Sequence, residues 1–93
     1  LSRLAADHLF LGVDGIDPRA GLFTPDILEA KLNAIMVNVS REVTVVADSS
    51  KFGRRGLSLI AETSAVNRLI TDRDAPAEGV KQLRDAGVEV ILV

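Results

Sequence analysis

His8-Leu9-Phe10-Leu11-Gly12-Val13-Asp14-Gly15-Ile16-Asp17 is the stretch that decides the fold. Residues 8–13 are apolar almost throughout and stop at Asp14-Gly15, a strong turn signal. Such a run reads as a short, largely buried strand. Two carboxylates, Asp14 and Asp17, then stand three residues apart on a chain that must turn sharply.

Downstream, residues 14–23 read as a loop punctuated by Gly15, Pro18 and Gly21. Thr24-Pro25-Asp26 is a helix start: threonine can cap a free N–H, proline fits the first helical position, and an acid favours the positive end of the dipole. Leu28, Leu32, Ile35, Met36 and Val39 follow at spacings that put them on one helical face. The helix is predicted to run to about Asn38 and to pack that face on a sheet. Residues 42–47, rich in valine, read as a second strand. A polar loop over 48–55 precedes a short strand over 57–61, a single helical turn over 64–66 and a strand over 68–71. A second helix is expected over 74–86, with Val80 and Leu83 inward and Gly87 as its left-handed stop. Residues 88–93 make a last apolar strand, and upstream residues 1–6 read as the tail of a helix. Strands alternating with helices predict an α/β fold: a mainly parallel sheet of about five strands with flanking helices. Neither repeat nor linker divides the chain.

Bulk composition narrows the function. Apolar residues make up 47% of the 93, which excludes a disordered tail. A net charge of −2 and only three aromatics, Phe10, Phe23 and Phe52, argue against direct contact with DNA or RNA, which rewards a basic excess. The chain has no cysteine and one histidine, His8, so thiolate chemistry is excluded and a histidine-based metal site is not expected. No apolar run approaches a membrane span, and the expected compartment is the cytoplasm.

Three predicted strands end in aspartate: Asp14, Asp48 and Asp72. Ligands in open α/β sheets bind outside the carboxyl ends of the strands, so three parallel neighbours would gather these carboxylates on one rim. Aspartate is also a common turn residue, and Asp72, followed by Asp74, suits a purely structural part best. In the first loop, Asp14, Gly15 and Asp17 lie close to Thr24 and the start of the next helix, whose free N–H groups suit hydroxyl-rich or anionic ligands. Asp26 and Glu29 oppose a bare anion there and fit a polyol better, although Asp26 can equally serve only the helix dipole. In the second loop, Lys51 is a mobile cation beside Ser49, Ser50 and Asp48, a set able to hold a phosphorylated sugar. Arg54 and Arg55 fit a solvated pair, Phe52 a core plug and His8 a structural histidine. No serine–histidine pairing supports nucleophilic hydrolysis.

These residues also carry a family likeness. Phe10-Leu11-Gly12-Val13-Asp14-Gly15-Ile16-Asp17, Gly21-Leu22-Phe23-Thr24-Pro25, Glu29-Ala30 and Ala47-Asp48-Ser49-Ser50-Lys51-Phe52-Gly53 resemble the effector-binding domain of DeoR-family transcriptional repressors. Leu69-Ile70-Thr71-Asp72 and Ala86-Gly87-Val88-Glu89-Val90-Ile91 extend the likeness over nearly the whole chain. More distantly, the motifs are similar to ribose-5-phosphate isomerase, whose chemistry uses acids of the first loop and a lysine just after it. Asp14 and Asp17 match those acids, but residues 18–30 contain no lysine and the glycine-rich run is missing. A proton shuttle needs a base within reach of the substrate, so acids without that cation fit binding without turnover.

The resemblance implies an incomplete piece of the isomerase and CoA-transferase-like fold group, namely the C-terminal part of a sugar-phosphate sensor. The DNA-binding winged helix-turn-helix and the first part of the sensor lie outside residues 1–93. It implies a phosphorylated-sugar effector, DNA contact only through the missing domain, no cofactor, no catalytic residue, and a homo-oligomer. The ligand residues expected are Asp14, Gly15, Asp17, Thr24, Glu29, Asp48 and Lys51. An aldose–ketose sugar-phosphate isomerase is the alternative, and an oligomerisation module with a vestigial site is a third reading.

Overall fold

The computed structural model describes residues 6–54 and 58–93. In chain order they form β1 (Ala6–Gly12), β2 (Gly15–Asp17), β3 (Gly21–Thr24), α1 (Ile27–Val39), β4 (Ser40–Val46), β5 (Ser58–Ala61), β6 (Arg68–Thr71), α2 (Ala77–Asp85) and β7 (Glu89–Leu92). Strands β1, β4, β6 and β7 pair in that order, all parallel. The fold is α/β with a mainly parallel sheet. Residues 1–5, read as a helix tail, and residues 55–57, with Arg55 and the first residue of the third expected strand, lie outside the described residues. Ala6 already belongs to β1.

The registers place Leu11, Val45, Leu69 and Val90 side by side across four strands, and all four are buried. That rank is the floor of the core. Ile16 and Leu22 of the second sheet, Ala30 of α1, and Val80 and Leu83 of α2 complete the same cluster. The opposite face carries Phe10, Val46 and Ile91, all exposed, and no described element covers it. At its amino-terminal end that face holds a polar chain. His8 Nε2 and Thr44 Oγ1 lie 2.7 Å apart, and Arg68 Nε donates to Glu89 at 2.8 Å. His8 is thus engaged at the pole opposite the strands' carboxyl ends, and its ring stacks on Phe10.

Two expectations need correction. Residues 14–23 are not a plain loop: β2 and β3 form an antiparallel hairpin, and β5 joins β3 antiparallel instead of entering the parallel sheet. The Asp17 carboxylate closes the hairpin turn by accepting from the N–H groups of Arg19 (2.9 Å) and Ala20 (3.1 Å). Strands of three and four residues are too short to show a two-residue period, so glycine and proline dominated their appearance. The helix is also turned. Its apolar stripe does not face the sheet: Leu28 is 66% and Leu32 55% exposed, and Ile35 and Met36 are exposed as well. Ala30 and Val37 pack inward instead. α1 is apolar on nearly every side, so spacing alone could not select the inner face.

The rest stands close to expectation. A 3-10 turn over Thr63–Ala65 replaces the predicted single turn, shifted by one residue. α2 is shorter than the reading at both ends, starting at Ala77 because Asp72 and Pro76 organise the turn before it, and Gly87 follows with φ 95°, the left-handed stop.

Candidate functional site

The carboxyl ends of β1 and β4 lie side by side, since Gly12 pairs with Val46. The chain leaves β1 as Val13-Asp14 and β4 as Ala47-Asp48, so both aspartates reach one rim. Between them opens a cavity of about 460 Å³ lined by Val13, Asp14, Glu29, Val46, Asp48 and Lys51, with Gly12 and Ala47 also on its wall. Four of the residues singled out from sequence, Asp14, Glu29, Asp48 and Lys51, therefore meet across 37 positions of chain.

Each is held locally. Asp14 Oδ2 accepts from the hydroxyl of Thr24 at 3.2 Å, and the Asp14 N–H donates to the Phe23 carbonyl at 3.0 Å. Thr24 is buried at the end of β3 and does not cap α1. The cap is Asp26, whose Oδ1 accepts from Leu28 N (2.8 Å) and Glu29 N (3.1 Å). The helix start thus lies later than Thr24-Pro25-Asp26 suggested, and Asp26 occupies two of the N–H groups expected to be free for a ligand. Because the first turn begins beside Thr24, Glu29 comes over the cavity.

The second loop is a 3-10 turn over Ser49–Lys51, capped by Asp48. Asp48 accepts from Ser50 N at 2.9 Å and from the Ser50 hydroxyl, and these bonds hold its carboxyl below the ordinary 3.8. Lys51 Nζ stands 4.0 Å from Asp48 Oδ2, a loose ion pair between two residues that both line the cavity. Behind the turn, the Phe52 ring lies against Gly79 of α2 and the core, so Phe52 is the plug expected of it. Its neighbour Gly53 donates to the Ile16 carbonyl at 2.8 Å, tying the loop to the hairpin.

Gly15 and Asp17 are not brought to the cavity. Gly15 is buried in β2, where a Cβ would collide with the Arg54 carbonyl, so its smallness lets the two loops pass close together. Asp17 sits at the hairpin turn. Asp72 holds more of the site than its place in the sequence suggested. Its Oδ1 accepts from Ser49 N at 2.6 Å and its Oδ2 from Asp74 N at 3.1 Å. The first of these bonds is the main reason its carboxyl lies below the ordinary 3.8. Only the position of Asp72 at a strand end hinted at this anchoring.

Three acidic residues and one lysine thus line one cavity. The carboxylates can accept from hydroxyls and the ammonium can donate to a charged group, the divided recognition that a sugar with an acidic substituent requires. Among the described residues, no group of three histidine, cysteine or acidic side chains is placed to hold a metal ion.

The model of the DeoR C-terminal sensor domain matches residues 1–73. The chain is similar to the putative aga operon transcriptional repressor of Escherichia coli O157:H7, 48% identical over 87 residues, covering 94% of this chain and 32% of the repressor. It is similar to the HTH-type transcriptional regulator GlpR of Haloferax volcanii at 36% over 91 residues, covering 98% and 36%. The glycerol-3-phosphate regulon repressor of Escherichia coli K12 matches at 30% over 92 residues, covering 99% and 36%. The chain spans about a third of the length of these relatives.

Proposed function

This chain belongs to the DeoR C-terminal sensor domain family, and from that premise we propose that it binds a phosphorylated sugar or sugar derivative in the cavity between β1 and β4. It forms the C-terminal part of the sensor, and occupancy changes the DNA affinity of a winged helix-turn-helix domain in the same protein. The protein works in the cytoplasm, where its DNA is.

One observation carries the proposal: Asp14, Glu29, Asp48 and Lys51 converge on a single cavity at the carboxyl ends of neighbouring parallel strands. Asp14, oriented by Thr24, accepts from sugar hydroxyls. Glu29 and Asp48 offer further acceptors, and Lys51 donates to the charged substituent. Gly15 and Asp17 act through the shape of the hairpin that delivers Asp14. The relatives are repressors and regulators by name, which fits a sensor and not the isomerase. A sensor needs only a difference in affinity between two states, typically about 1–3 kcal/mol.

A thermal-shift screen of the full-length gene product against sugar phosphates tests this. A ligand at 100 times its Kd should stabilise the protein by about 2.7 kcal/mol. Asp14→Asn and Lys51→Met should each remove most of that shift while leaving the unliganded melt close to wild type. The proposal fails if no sugar phosphate raises the melting temperature, or if both variants respond like the wild type.

A further inference from the structure

We infer that the protein holds a second ligand site, for a small phosphorylated molecule, where the start of α2 meets the end of β7. A cavity of about 420 Å³ opens there, and it shares no lining residue with the cavity between β1 and β4. Its size falls within the range of small-molecule sites, about 300–1,000 Å³. Ala75, Ala77, Val80 and Leu92 give it an apolar wall.

Charge selects the ligand. Arg73, Lys81 and Arg84 line the cavity against a single acid, Asp85. Asp85 is engaged by Lys81, whose Nζ lies 3.1 Å from its Oδ2. Two positive charges are left uncompensated on the wall, in a chain whose net charge is −2. A phosphoryl group carries about −1.5 to −2 at neutral pH and matches that excess, whereas a carboxylate matches half of it. Arg84 Nη2 donates to the Val90 carbonyl at 3.0 Å, which anchors the guanidinium on β7, the edge strand of the parallel sheet. Arg73 is exposed and its side chain has no hydrogen-bond or ion-pair partner among the described residues. A guanidinium can offer two N–H groups at once to phosphate oxygens, so Arg73 is the main donor of the site. A bare ion would leave the apolar wall wet, so the ligand carries an apolar body on its phosphoryl group.

Calorimetric titration of the full-length gene product tests the assignment, with inorganic phosphate and phenyl phosphate as probes and ionic strength held by sodium chloride. The titrations are run on Lys51→Met, which removes the cation of the first cavity. Both probes should bind saturably, phenyl phosphate the more tightly. Adding Arg73→Ser should weaken phenyl phosphate about tenfold or more, as loss of a charge-assisted bond does. No saturable binding, or equal affinity with and without Arg73, overturns the proposal. Should the double variant fail to fold, acetylation of Lys51→Met decides. Phenyl phosphate should slow modification of Lys81 and leave that of Lys31 on α1 unchanged, and an unchanged rate at Lys81 overturns it.

Discussion

Asp72 holds the second loop from below, through a 2.6 Å bond to Ser49 N, while Asp48 caps the same turn from within. Both carboxyls titrate below the ordinary 3.8 because these bonds favour the charged form. A carboxylate with a lowered folded value contributes stability that is present above its unfolded value and lost as pH falls through the folded one. The loop should therefore be insensitive to these two groups from about pH 5 upward and loosen only in acid below the ordinary carboxylate range. Carboxyl-carbon NMR titration should put both midpoints below 3.8, and a midpoint at or above that value for Asp72 would contradict the hydrogen bonding described. The strand-end aspartates and the lysine of the second loop were visible in the sequence because turn chemistry is local. The parts of Thr24 and Asp72 were not, since each is defined by a partner ten or more positions away.

Among the elements, α1 connects the two sides of the molecule. Its first turn carries Glu29 to the cavity and its outer face carries the uncovered stripe. Asp26 fastens the start through two N–H groups. Asp26→Ala should cost about 1 kcal/mol in denaturant unfolding, the usual loss for a cap. Asp26→Asn should cost much less, because its side-chain oxygen still accepts from Leu28 N and Glu29 N. Equal losses would mean that the cap had been assigned to the wrong residue. Helix and strand types were readable from periodicity and β-branching. The hairpin was not, because strands this short are made by the pairing of β2 with β3 and of β3 with β5, and not by their own preference.

For the whole molecule, the two sheets share one core. Val45 is fully buried at the centre of the parallel sheet, in the cluster that includes Ile16 and Leu22 of the small sheet. Val45→Ala should destabilise by roughly 2–3 kcal/mol, as large-to-small core changes do. Calorimetry should show one transition at lower temperature, whereas separate melting of the two sheets would contradict a common core. The sequence by itself determined the α/β class, the parallel strands and the acids at their ends, because hydrophobic period, capping and turn residues act over a few neighbours. Only the tertiary structure decided which face of α1 turned inward, which strands left the main sheet, and which acids reached the cavity. Those choices depend on side chains competing for the same buried space, and that competition takes place only once distant segments have packed together.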